Sequence, residues 1–318
     1  MWFWLCLLKG RPELFDLFSS RLILHGDLIM LFFQSLLSGI LTGGVYALAG
    51  IGMSLVFGVM NISNFAHGDL MMLGMYMAYF AFTLLHIDPY LSLLLIMPTA
   101  FFFGFVMEKL FINRVIHHPH QNQILLTIGL GLIMSNTALL AFTSDPKILT
   151  TTYSSSAFNI PGGISLSLPL LFSFLITCVI IAVLYLFLAK TSTGMALRAT
   201  SQNRQAAQLM GINVSKMSAI AFGLGTALAA TAGALIAPTY YIHPLAGHSF
   251  LLKSFTICVL GGLGSVVGAG VGGLLIGVIE SMSSTYISSD WKDVVVFVLF
   301  LAVLLFRPQG LFGKKGGQ

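Results

Sequence analysis

The chain has 318 residues, of which 57% are hydrophobic and 8% charged, with a mean hydropathy of +0.95 and a formal net charge of +5. Soluble domains carry about 25% charged residues, so a soluble enzyme or binding module is excluded. The apolar runs approach the length of about 20 residues that a membrane helix needs, and the basic residues between them form no continuous stripe of the kind nucleic acid requires.

Residues 1–29 open with Trp2, Phe3, Trp4 and Leu5 and then turn polar through Lys9, Arg11, Glu13, Asp16 and Arg21. The basic residues follow the apolar stretch, the reverse of secretory order. Residues 1–29 are therefore expected to be a poorly ordered N-terminal extension or the product of a start codon placed too early, with an interfacial anchor as the alternative. The membrane domain is expected over 30–313, with a short basic tail at 314–318.

Eight apolar segments follow, at approximately 31–60, 69–86, 90–112, 123–142, 167–189, 218–241, 250–282 and 292–306. They predict an all-α polytopic membrane protein of about eight transmembrane segments, with Gly-rich broken or re-entrant helices. Segments one and seven are too long for a simple span, so each should break or tilt. Gly39 and Gly43 in segment one, and Gly268 and Gly272 in segment seven, stand at GxxxG spacing. They read as close-packing surfaces, within the chain or toward a second subunit.

Between segments one and two lies the densest polar cluster, with Asn61, Asn64, Phe65, His67 and Asp69. An ionised Asp at mid-bilayer costs about 2.5–3.5 kcal/mol even on lenient scales, which predicts a position at a helix end, in water or beside a partner. Asp69 is expected to cap segment two and His67 to pair with it. The cluster is a candidate gate or pathway site on the cytoplasmic side, or a capped turn. A catalytic His–Asp pair is not expected: the chain has no GxSxG nucleophile context and no HExxH zinc motif.

Orientation follows the basic loops. Lys109 and Arg114 after segment three, residues 190–217 after segment five, and Arg307, Lys314 and Lys315 place those ends and the C-terminus in the cytoplasm. The Ser/Thr-rich stretch 143–165 then lies outside. Segment seven must leave and return to the same face, which predicts two helical pieces around Gly261, Gly262 and Gly264; that turn is expected to line a pathway or the core. Glu108 with Lys109 reads as an interfacial pair, Lys253 as a side chain reaching outward, and Glu280 as interfacial.

The stretch 190–217 holds Lys190, Arg198, Arg204 and Lys216 and no acid. Good helix formers from Met195 to Met210 and a stop at Gly211 predict one short basic helix, a handle for a soluble partner. No GxxxxGK[ST] motif is present, so ATP would be held by another chain. Few acids stand within the spans, which disfavours an ion-driven carrier. Cys6, Cys178 and Cys258 are far apart and read as small apolar residues, with no metal spacing. No cofactor is expected.

Three stretches carry a resemblance: SGILTGGVYALAGIGMSLVFGVMNISNFAHGDLMMLGMY (38–76), TGMALRATSQNRQAAQLMGINVSKMSAIAF (193–222), and KSFTICVLGGLGSVVGAGVGGLLIGVIESMSS (253–284) followed by DWKDVVVFVLFLAVLLFRPQGLFG (290–313). Together they resemble the permease subunits of bacterial branched-chain amino-acid ABC transporters of LivH type. The resemblance implies an inner-membrane importer subunit working with a second, similar permease, two cytoplasmic ATPase subunits and a periplasmic binding protein. It also implies that 190–217 is the ATPase-coupling loop, carried by Arg198, Arg204, Gln205, Ala206, Ala207 and Gly211. The family's usual Glu-Ala-Ala appears here as Gln-Ala-Ala. Relatives are expected to carry urea or short amides as well as branched-chain amino acids, and a self-sufficient secondary carrier stands as a further alternative.

Overall fold

The computed structural model describes residues 12–116, 118–154, 156–160, 163–307 and 309–313, without side-chain detail for 12–27 and 160. Eleven helices are used below: α1 (Pro12–Met60), α2 (His67–Leu85), α3 (Leu93–Met107, continued to Val115), α4 (His120–Phe142), α5 (Leu168–Lys190), α6 (Ser192–Gln202), α7 (Arg204–Leu209), α8 (Val214–Ile236), α9 (Ala246–Gly261), α10 (Val266–Tyr286) and α11 (Lys292–Phe306). Seven of them are long and apolar enough to cross a membrane, and α9 is a shorter apolar helix. The chain is an all-α polytopic membrane protein. Its one β hairpin within the described residues is formed by β1 (Ala157–Ile160) and β2 (Ile164–Ser167), paired antiparallel, at the end of the polar 143–165 stretch.

The first helix is unbroken, so of the break or tilt expected for segment one it is the tilt that applies, and residues 12–29 of the expected N-terminal extension are described as its first turns. Residues 1–11 of that extension and the tail 314–318 lie outside the described residues. The apolar part, Leu28–Met60, is about 50 Å long at 1.5 Å per residue. That exceeds an apolar layer of about 30 Å, so α1 tilts or projects beyond it.

Segment seven is broken as the glycines predict. Helices α9 and α10 form an antiparallel hairpin: a Cβ at Gly272 would lie 2.8 Å from the Ile257 carbonyl, and Gly261 meets Gly268 nearer the tip. Gly262 (φ 103°) and Gly264 (φ 81°) make the turn in backbone conformations that side-chain-bearing residues rarely adopt. Ser265 caps α10, accepting a bond from the Gly268 N–H at 3.1 Å. The C-terminal segment closes the tip, with Leu311 N–H donating to Leu260 O (2.8 Å) and Phe312 N–H to Gly261 O (3.1 Å).

Close backbone contact holds the bundle. A Cβ at Gly39 would lie 2.7 Å from Val278 Cα, and one at Gly43 would lie 2.9 Å from Leu274 Cα, so α1 and α10 touch backbone to backbone along their length. Dispersion between such surfaces supplies what the hydrophobic effect cannot supply in lipid. The Ala- and Gly-rich α8 is the central helix and almost wholly buried. Its glycines let α1 and α2 approach at Gly225 and Gly233.

On the face opposite the basic loops, Tyr90 OH donates to Pro169 O (2.8 Å) and Tyr153 OH to Asp88 Oδ2 (2.7 Å), and the two rings stack at 5.8 Å. Burial pushes the Tyr90 hydroxyl up to about 12. Lys147 pairs through its backbone with Ile242, joining the 143–165 stretch to the segment after α8.

Candidate functional site

The polar cluster after α1 does not stay at the basic face. Asn61 takes a left-handed conformation (φ 55°) that turns the chain, and Asn64 Oδ1 accepts a bond from the Ala66 N–H at 3.1 Å. The chain then runs back into the bundle. His67 Nε2 lies 3.0 Å from Ala49 O, eleven residues before the end of α1, a depth of about 16 Å at the helical rise. Helix α2 therefore starts inside the protein. Ala66 is its N-cap and Asp69 falls in its first turn, so the expected Asp69 cap is absent. The expected His67–Asp69 pairing is absent too.

Asp69 is 5% exposed and its Oδ1 has no hydrogen-bond partner among the described residues. It is cradled by glycines from two other helices: a Cβ at Gly247 would lie 2.6 Å from Asp69 Oδ1, and one at Gly131 would lie 2.5 Å from Oδ2. Asn64 and His67 are buried, and Phe65 stacks on Phe255 with ring centroids 6.2 Å apart.

A cleft of about 950 Å³ runs between α1, α5 and α10. Its walls are largely apolar or small, with Gly44, Ala47 and Ile51 on α1, Ile181 and Leu184 on α5, and Leu274 on α10. Most of its polar side chains lie toward the basic face, namely Asn61, Ser201, Gln202, Ser265 and Gln309, while Thr177 and Tyr185 line it from α5; Arg198 is the one charged group in the lining among the described residues. Of the pathway residues expected from sequence, Asn61 and Gly264 line this cleft. Gly261 and Gly262 lie instead under the C-terminal segment, and Asn64, His67 and Asp69 sit in the core.

The basic stretch forms two helices where one is expected. Thr191 caps α6, accepting from the Gly194 N–H at 3.0 Å. Asn203 then breaks the run and caps α7, accepting from the Ala206 N–H at 3.0 Å. Gly211 (φ 82°) ends α7: its N–H reaches Gln208 O, and the Ile212 N–H reaches Ala207 O, both at 3.0 Å. That bond pair is a Schellman cap, and the left-handed residue it requires is best supplied by glycine. Ala207 is buried, Gln205 and Ala206 are exposed, and Leu209 and Met210 are 89% and 83% exposed. Arg204 points inward, donating from Nη1 to the last carbonyl of α1, Met60 O, at 3.3 Å.

Two buried acidic sites escaped the sequence reading. Lys253 does not reach outward. Its Nζ lies 2.7 Å from Glu280 Oε1 and 3.3 Å from the Tyr46 hydroxyl, and the two charged side chains are 8% and 7% exposed. Asp293 Oδ1 stands 3.2 Å from Lys253, Lys292 lies 3.8 Å from Glu280, and Tyr46 meets the Tyr240 hydroxyl at 3.2 Å. The available signal was a lone cation and a lone anion in the two arms of one hairpin. Glu108, expected in an interfacial pair, is fully buried in a π turn (Glu108–Ile112), while Lys109 sits over the Phe105 ring at 4.7 Å. With Asp69, the spans hold three buried carboxylates, where the sequence suggested almost none.

Fold and cleft together define a polytopic helical membrane protein with a cleft between its helices and a structured basic face. Residues 35–304 match the family model described as "Branched-chain amino acid transport system / permease component", and the chain belongs to that family. It is a transport subunit and not an enzyme. It is 35% identical over 298 residues to the high-affinity branched-chain amino acid transport system permease protein BraD of Pseudomonas aeruginosa, covering 89% of this chain and 96% of the relative. LivH of Salmonella typhimurium is 32% identical over 297 residues with the same coverage. A probable LivH of Methanocaldococcus jannaschii is 30% identical over 294 residues, covering 86% of this chain and 90% of the relative. No solved structure matches the chain.

Proposed function

We propose that the chain is the membrane-spanning permease subunit of an ATP-driven importer that carries branched-chain, hydrophobic amino acids across a bacterial inner membrane. Its basic face, with Arg114, Lys190, Arg198, Arg204, Lys216 and Arg307, faces the cytoplasm, and the C-terminus lies there too. A periplasmic binding protein delivers substrate to the opposite face. The α1–α5–α10 cleft forms one wall of the passage and a second, homologous permease supplies the other. Apolar walls suit an aliphatic side chain and offer little to urea or a short amide, whose polar groups would go unpaired.

The observation that carries the reading is α7. A six-residue helix with Leu209 and Met210 almost fully exposed at its end is a poor design for a free aqueous surface. It is a good one for a helix seated in the groove of a partner. Two cytoplasmic ATPase subunits, one beneath each permease, are that partner. Their closure on ATP pushes α6 and α7, and Arg204 passes the displacement to the end of α1, which lines the cleft. Asn61 and Gly264 lie at the inner mouth and gate release. The core cluster of Asn64, Phe65, His67 and Asp69 sets the position of α2 behind that wall. Leu209→Asp tests the reading: the protein should reach the membrane in normal amounts, lose its ATPase on purification and lose uptake. Normal uptake by that variant removes α7 from the coupling path.

A further inference from the structure

The cleft between α1, α5 and α10 carries one positive charge and, among the described residues of its lining, no negative one. That charge is Arg198 on α6, which shares the basic end of the cleft with the side-chain amides of Asn61, Gln202 and Gln309. The guanidinium is close to unengaged. Of its five N–H donors, the one bond formed within the described residues runs from Nη2 to Ala189 O, at 3.5 Å the outer limit of a hydrogen bond. No acid among the described residues lies within ion-pair distance of it. A planar fork of free donors suits a carboxylate, which can accept two parallel bonds from it.

The wall beside it indicates what that carboxylate is attached to. Ala189 lies near the end of α5, and Leu184, a wall residue of the cleft, stands five residues earlier on the same helix, about 8 Å deeper at the helical rise. A guanidinium–carboxylate contact spans about 3 Å, and an extended leucine runs roughly 5 Å from its carboxyl carbon to its methyls. An amino acid held by its carboxylate at Arg198 therefore brings an aliphatic side chain to the level of Leu184. The neighbouring amide oxygens are acceptors for its ammonium group. Without Arg198 the carboxylate would lose its water and gain no charged partner in the cleft, which is costly.

We propose that Arg198 binds the α-carboxylate of the transported amino acid at the inner mouth of the cleft, so that the substrate arrives there carboxylate first, with its side chain against α5. Because Arg198 stands on α6, the push of the ATPase subunits on that helix also moves the group that holds the substrate, which ties release to closure. The inference rests on the reading of the cleft as the passage for branched-chain amino acids and adds to it the residue that recognises their common polar end.

The test uses the complete transporter in phosphatidylcholine nanodiscs, without binding protein or ATP, and a leucine analogue that carries a diazirine in its side chain. Irradiation and peptide mapping should place the label on α5 around Leu184, and free leucine should compete it away. Arg198→Gln should lose about tenfold or more of that label, the equivalent of one charge-assisted bond, while the ATPases co-purify as with the wild type. Arg198→Lys should keep part of it, because the charge remains and the fork does not. Arg198 is exposed, so neither replacement should disturb the fold. The carboxamide of the same analogue should label the wild type no better than the acid labels Arg198→Gln. Equal labelling of the wild type and Arg198→Gln by the acid would overturn the assignment and leave the passage intact. Label in the wild type that avoids the cleft altogether would overturn the passage and this inference together. Labelling lost when phosphatidylglycerol is added to the nanodiscs would give the guanidinium to a lipid headgroup and overturn the proposal as well.

Discussion

Replacing Lys253 with Met leaves Glu280 buried with its nearest cation gone. The pair is 2.7 Å apart with both side chains over nine-tenths buried, so breaking it should cost about 3–5 kcal/mol, most of it from the stranded carboxylate. Lys292 at 3.8 Å offsets part of that, which favours the lower end, about 3 kcal/mol. At roughly 2–4 °C per kcal/mol for chains somewhat shorter than this one, the melting temperature should fall by about 6–12 °C. The double variant Lys253→Met with Glu280→Leu removes both charges and replaces them with side chains of similar volume. Apolar replacement of a buried pair is often neutral or stabilising, so the double variant should recover most of the loss. Thermal unfolding of the purified protein in lipid nanodiscs reads both. A double variant as unstable as the sum of the two single ones would refute the reasoning, because the charges would then be stabilised separately.

Other expectations follow from the same geometry. Gly43→Val places a branched side chain against the α10 backbone, where even a Cβ would sit 2.9 Å from Leu274 Cα, and should cost about 1–3 kcal/mol or more, read as a lower melting temperature and reduced yield. Ala206→Asp should leave stability within about 0.5 kcal/mol, because the residue is exposed, yet reduce uptake by disturbing the docking face. Ala207→Asp buries a charge and should lower the amount of protein in the membrane instead, which quantitative blotting separates from a transport defect. Gly211→Val forces a β-branched residue to φ 82° and should loosen the end of α7, lowering uptake with the protein still in the membrane.

Much of the fold was legible because bilayer physics writes itself into runs of apolar residues. The last helix, Lys292–Phe306, matches its expected range, and the break between α9 and α10 was announced by glycines that only a tight turn needs. The course of α1 was not legible. Helical hydrogen bonding does not stop where the apolar run begins, so the polar Arg21, His25 and Asp27 continue the same helix. The return of 61–66 into the core was hidden for a related reason. Asn61, Asn64, His67 and Asp69 have the composition of a surface turn, yet only Asn61 is exposed, and what makes room for Asp69 in the core is the facing pair Gly131 and Gly247, far away in sequence. The break at Asn203 was missed because its neighbours are good helix formers, although Asn is also a strong N-cap. The ion pair of Lys253 and Glu280 depends on how two arms of a hairpin align, which composition does not encode.

The most direct test of the account is purification of the intact protein from its native host in mild detergent, with mass spectrometry of what accompanies it. The account predicts two ATPase chains and a second permease of the same family, all lost or sharply depleted when Leu209 is replaced by Asp. A chain that purifies alone in good yield, and that moves leucine into liposomes by itself, would contradict it.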